Sequence, residues 1–130
     1  MKTRRPEALL KKFEAWEPAT DKTDFQWRAR LLQAMWREGL GLSAGSFAGK
    51  TRGALVPMPD ARAHLLNYLT PNIRALVRRE VDDPIRSKGK LYGKPRIYNN
   101  FLSSQPLCFN LFGELALDLS LATAVFSEVS

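Results

Sequence analysis

The sequence predicts a mainly α-helical domain of about four to five helices joined by long Gly- and Pro-containing loops. Three observations lead there. Apolar residues recur at helical spacing in four segments, prolines and capping residues stand at the starts of those segments, and glycine and proline gather in the two stretches between them. A chain of 130 residues, 45% of them apolar, suits one domain spanning 1–130 with its own core.

The first helix is expected over 6–17. Pro6 suits a first-turn position, Leu9, Leu10, Phe13 and Trp16 follow helical spacing, and Pro18 is the expected stop. The second is expected over 24–38. Asp24 is its expected cap, Trp27, Leu31, Leu32, Met35 and Trp36 form an apolar stripe, and Gly39-Leu40-Gly41 ends it. A Trp and Met stripe at this spacing is a core face before it is a ligand box. Residues 39–60 read as loop, with Gly39, Gly41, Gly45, Gly49, Gly53, Pro57 and Pro59. Asp60 then caps a helical turn or two over 60–67.

Thr70 and Pro71 open a helix over 71–81, with Ile73, Leu76 and Val77 inward and Asp82-Asp83-Pro84 closing it. Residues 84–105 read as the second long loop. The last helix is expected over 106–126, with Pro106 at its start. Leu115, Leu117, Leu119 and Leu121 alternate as in a strand, but Phe109, Phe112, Ala116, Leu119, Thr123 and Phe126 keep a 3-4 spacing in a segment rich in Leu and Ala. This helix is apolar on nearly every side, so it needs cover on more than one face.

Charge is unevenly placed. Residues 1–100 hold all 20 Lys and Arg and 10 of the 13 Asp and Glu, a net charge of +10. Residues 101–130 hold only Glu114, Asp118 and Glu128, a net of −3. One cysteine, Cys108, excludes an intramolecular disulfide framework, and the single histidine, His64, lies too far along the chain to suggest a zinc site. The charged start Met1-Lys2-Thr3-Arg4-Arg5 is followed by no apolar signal region, and the apolar tail is interrupted by Glu114 and Asp118 before it reaches membrane-spanning length. The expectation is a cytoplasmic protein with no membrane contact.

Ala44-Gly45-Ser46-Phe47-Ala48-Gly49-Lys50-Thr51 imitates a phosphate-binding loop, with alanine in place of the first glycine. A helix precedes it rather than a strand, and Gly53, Pro57 and Pro59 follow too soon for the required helix, so it reads as a basic loop. Cys108, in an apolar run, reads as a buried inert thiol. His64 has no nucleophile in a recognisable setting.

Arg86, Lys88, Lys90, Lys94 and Arg96 are the densest cationic run, with Tyr92 inside it, Tyr98 just after and no acid among them. Mobile cations reach phosphates and tyrosines stack on bases, so Arg86, Lys88, Lys90, Tyr92, Lys94 and Arg96 are the candidate nucleic-acid contacts, extended by Arg74, Arg78 and Arg79. The competing reading is a solvated surface loop. Residues 97–113 mix large apolar groups with Asn99, Asn100, Ser103, Ser104, Gln105 and Asn110, a polar loop docking into a core and capping a helix.

From Arg96 to Gly113 this stretch resembles the hallmark of a bacterial family of restriction-endonuclease-like proteins in the PD-(D/E)XK nuclease superfamily. Residues 28–38, 70–77 and 115–126 resemble it too, so the resemblance covers most of 25–126. It implies a fold in which a helix precedes a mixed sheet carrying an Asp and then an acid-x-Lys triplet. In that fold carboxylates hold magnesium, which activates water and stabilises the phosphodiester transition state. No Glu-x-Lys or Asp-x-Lys occurs in this chain. In the family the catalytic strands follow the segment matching 106–126, so the resemblance implies a truncated chain, the N-terminal part of an α/β nuclease.

The resulting expectation is a truncated nuclease-like protein, catalytically inactive alone, with nucleic acid as its candidate partner. No catalytic residue and no metal ligand is assigned. No cofactor is expected in this chain, magnesium being implied only for the full family domain, and Asn99, Asn100, Ser103, Ser104, Gln105 and Asn110 are motif positions without a role. The alternative is a non-enzymatic interaction protein that self-associates, or binds another chain, through 106–126. A stand-alone nucleic-acid-binding module is the third reading.

Overall fold

A computed structural model describes residues 3–129; Met1, Lys2 and Ser130, part of the expected 1–130 span, lie outside the described residues. The architecture is mainly helical, with seven α-helices and one two-stranded hairpin among the described residues. They are α1 (Glu7–Lys12), α2 (Asp24–Gly39), β1 (Gly45–Phe47), β2 (Lys50–Arg52), α3 (Asp60–His64), α4 (Pro71–Val77), α5 (Arg96–Asn99), α6 (Ser104–Leu117) and α7 (Leu119–Val129). A π-type turn, Arg78–Asp82, continues α4.

Helix α1 stops well before Pro18. Glu14 takes a left-handed conformation, φ 55°, and the Ala15 N–H closes back onto Leu10 O at 2.8 Å, so the chain reverses there. The helix was expected to run to 17 because Trp16 keeps the apolar spacing. Phe13 and Trp16 do reach the core, but from outside the helix. Helix α2 forms over the expected residues, but its inner face is Trp27, Leu31, Ala34 and Arg37. Leu32, Met35 and Trp36 of the expected core stripe therefore stand one step around the helix and are exposed, and the cap is Thr23 rather than Asp24. The Thr23 hydroxyl accepts the Gln26 N–H while Gln26 Oε1 accepts the Thr23 N–H, a capping box.

The stretch 39–60, expected as loop, holds the hairpin. Ala48 and Gly49 both have positive φ, 52° and 74°, the pair of conformations a two-residue type I′ turn requires. The resemblance of 44–51 to a phosphate loop thus dissolves into two short strands and their turn. Gly53 serves a different need: a Cβ there would lie 2.0 Å from Phe13 O, so only glycine lets the chain pass.

Two hydrophobic clusters result. One gathers Leu10, Ala15, Trp27, Leu31 and Ala34 between α1 and α2. The other gathers Leu65, Tyr68, Ile73, Val77, Val81, Ile97 and Tyr98 around α4, with Phe109 and Tyr92 against it. Each fully buried aliphatic side chain in them contributes roughly 1.5–3 kcal/mol. The segment Gly53–Val56, a turn leading into a short extended stretch, runs between the clusters and bonds to both sides. Gly53 N–H donates to Glu14 O (2.8 Å), Val56 N–H to Asn99 O (2.9 Å), and Ala54 O accepts from Phe101 N–H (3.0 Å). The buried Arg37 donates to Gly53 O at 2.8 Å and to Leu42 O, tying α2 to the same segment.

The expected single helix over 106–126 is two helices, bent by 113°. At Asp118 the backbone is extended, and its carboxylate caps α7 by accepting the Leu121 N–H at 2.9 Å. Helix α6 packs on α4, where Gly113 lies so close to Ile73 that a Cβ would meet it at 3.0 Å. Helix α7 turns away from α6 at this bend, with only Ala122 partly covered among its described side chains, and Leu117, Leu119, Leu121, Val125 and Phe126 are exposed. Cys108, expected to be buried, is exposed for the same reason: α6 is covered on one face only. No single helix among the described residues is long and apolar enough to cross a membrane.

Candidate nucleic-acid interface

The segment 84–95 is irregular and turn-rich and leads into α5, so the loop expected over 84–105 contains a short helix and ends where α6 begins at Ser104. Asp83 starts it, its Oδ1 accepting the Ile85 and Arg86 N–H groups (2.8 and 3.3 Å). The cations of this segment divide into two groups. Glu80, midway along the α4 extension, draws in Arg79 (3.1 Å), Arg86 (3.2 Å) and Lys90 (3.1 Å). The Lys90 hydrogen bond holds the Glu80 carboxyl below its ordinary range and raises the Lys90 ammonium in return. Lys88, Lys94 and Arg96 are exposed, with no ion pair to any described residue. An acid distant by a few residues in sequence therefore claims Arg86 and Lys90 and leaves the other three cations of the segment uncommitted.

Tyr92 is half buried. Its ring packs against Phe109 with centroids 6.4 Å apart, which makes it a core neighbour rather than a projecting platform. Tyr98 is buried and donates to Asp82 Oδ1 at 2.5 Å. The cations expected to extend the patch are occupied: Arg74 donates to Tyr68 O (3.1 Å) and Arg78 to Ala63 O (2.9 Å).

The motif positions act as clamps. Gln105 Oε1 accepts the Gly93 N–H (2.7 Å) and its Nε2 donates to Leu91 O (2.8 Å), pinning the end of the basic segment to α6. Asn110 grips the turn before α4, with Nδ2 donating to Asn67 O (2.9 Å) and Oδ1 accepting the Leu69 N–H (3.0 Å). Asn100 Oδ1 accepts the Leu102 N–H (2.8 Å), and Ser103 stands at the N-cap of α6 ahead of Ser104. Asn99 is different: it is 94% buried, and its Oδ1 has no hydrogen-bond partner among the described residues.

The carboxylates do not assemble a magnesium site. Asp21 is held bidentately by Arg30 (2.8 and 2.9 Å), Glu80 by three cations, Asp82 by Tyr98, and Glu114 by Thr70 and Asn72. Among the described residues no three His, Cys, Asp or Glu side chains approach closely enough to hold a metal ion. The donor set does not fit the family's metal.

A sequence model of the PD-(D/E)XK nuclease superfamily matches residues 19–130, and the chain belongs to that family. Comparison with curated proteins and with solved structures gives no match.

Proposed function

We propose that these residues form a nucleic-acid-docking part of a PD-(D/E)XK nuclease and do not cleave DNA by themselves. The observation that carries the reading is the division of charge around Glu80. Lys88, Lys94 and Arg96 remain exposed and uncommitted beside the motif clamps, while every carboxylate near them is engaged in holding the fold. Family membership supports nucleic acid as the partner. The missing acid-x-Lys triplet supports inactivity, and the catalytic carboxylates would have to come from residues other than these. Incubating the purified chain with plasmid DNA and magnesium tests the second half. No cleavage above background is expected; cleavage that co-elutes with the protein and is abolished by chelation overturns it.

One observation favours a second reading, association with a second copy of this chain. The exposed faces of α2 and α6 form a groove of about 540 Å3 whose apolar walls include Leu32, Trp36, Leu107 and Leu111, and Phe112 is also exposed on α6. Leu111→Asp with Phe112→Asp dissolves such an association, whereas an unchanged sedimentation profile contradicts it. Phe109 is unsuited to this test because its ring meets Tyr68 edge-on at 6.1 Å within the core.

A further inference from the structure

Between the hairpin, α2 and α5 lies a cleft of about 350 Å3, walled by Arg30, Phe47, Arg52, Arg96, Asn99 and Asn100. That volume lies at the small end of the roughly 300–1,000 Å3 typical of ligand clefts. Three guanidiniums meet there, but not as equals. Arg30 is balanced by Asp21, and Arg52 lies 2.9 Å from Glu17 Oε1, an ion pair without hydrogen-bond alignment. Arg96 has no such partner, and Arg52 shares Glu17 with Lys50 (2.9 Å), so the cleft carries a net positive charge.

Two buried polar atoms at this cleft lack partners: Arg52 Nε, a donor, and Asn99 Oδ1. Both atoms are closed off from solvent and do not meet the cleft directly, so what the cleft itself offers is the outward edges of Arg52, Asn99 and Asn100. At the mouth stands Phe47, 64% exposed on the hairpin with the Arg52 guanidinium 5.7 Å from its ring centre. A flat ring, carboxamides beside it and an arginine at the rim match the three parts of a nucleotide: a face that stacks, an edge that hydrogen-bonds and a phosphate.

We propose that this cleft receives one unpaired nucleotide of a nucleic-acid strand, its base on Phe47, its edge at Asn99 and Asn100 and its phosphate at Arg96. The proposal rests on the reading that the chain binds nucleic acid, and it adds a preference for single strands over duplex. A paired base cannot leave its stack without losing its partner, so the cleft discriminates by strandedness.

The test is fluorescence anisotropy with one labelled DNA strand, alone and annealed to its complement, against the unaltered chain, Phe47→Ala, Phe47→Trp and Arg96→Ala. Phe47 and Arg96 are both exposed, and circular dichroism checks that each variant folds. Phe47→Ala should weaken single-strand binding about tenfold and duplex binding less than about twofold, and Phe47→Trp should retain it. Arg96→Ala should weaken binding of both. If neither strand nor duplex binds, the nucleic-acid reading falls and this proposal falls with it. If both bind and Phe47→Ala changes neither, the proposal alone falls. Equal competition by oligoglutamate would also overturn it, since the cleft would then read charge without a base.

Discussion

Gln105 Oε1 accepts the Gly93 N–H at 2.7 Å, fastening the first turn of α6 to the end of the basic segment. The same carboxamide donates to Leu91 O at 2.8 Å, so one side chain fixes the path of three backbone residues. Lys94 and Arg96 follow directly, and their position depends on this clamp.

Gln105→Ala removes both bonds and should destabilise the chain by about 1–2 kcal/mol, read from the midpoint of urea unfolding. It should also raise the protease sensitivity of 88–95. A midpoint shift below about 0.3 kcal/mol, with proteolysis unchanged, would show that the clamp does not hold the segment.

Gly53→Ala should be far costlier than its size suggests. The added Cβ would lie 2.0 Å from Phe13 O and 2.8 Å from the Ala34 Cβ, against groups that cannot swing away. A loss of at least about 2 kcal/mol is expected in thermal or urea unfolding. Gly39→Ala is the matched control, with nothing within 4 Å of its Cβ, and should cost no more than about 0.5 kcal/mol. Equal effects at the two positions would contradict the close passage of the chain at Gly53.

Alkaline pH should unfold the α4 cluster. Burial, helped by the Asp82 hydrogen bond, pushes the Tyr98 hydroxyl from 10.0 up to about 12, and burial raises Tyr68 as well. Folded values above the unfolded one mean that the unfolded chain loses its phenolic protons first. The stabilisation is therefore whole below about pH 10 and falls as pH climbs from there through about 12. Urea midpoints should be flat from pH 8 to about 9.5 and drop above about 10, while tyrosinate absorbance rises with unfolding. Early titration of all tyrosines in the folded chain would contradict the burial of these two.

Much of the helical plan is legible from the sequence because it rests on local rules. Thr70 and Pro71 announce α4, where the Thr70 hydroxyl accepts the Ile73 N–H at 3.2 Å, and the stripe of α2 predicts its buried Trp27 and Leu31. What periodicity does not carry is where a helix is interrupted. Trp16 keeps the rhythm of α1 although Glu14 has already turned the chain, and Asp118, written off as a gap in an apolar run, is the cap that starts α7. The hairpin has a local signal, Ala48-Gly49 between two short polar strands, but the imitation of a phosphate loop masks it.

The candidate site was legible in composition and not in pairing. The basic run is visible, yet its partner Glu80 belongs to the preceding element, so only the folded chain shows which cations it takes. The Phe47 cleft brings together positions from 30 to 100, and no spacing in the sequence joins them. Gln105 and Asn110 stand out as motif positions, while their clamping role depends on backbone groups up to 43 residues away.

The salt dependence of DNA binding tests the central claim most directly. Affinity of the chain for a short duplex should fall linearly with salt on logarithmic axes, and Lys88→Ala with Lys94→Ala should make the slope shallower by about 2, close to 0.9 for each lost phosphate contact. Arg86→Ala, at a cation already held by Glu80, should change it by less than about 0.5. Binding whose slope is the same in all three proteins, or that does not vary with salt, would contradict the account.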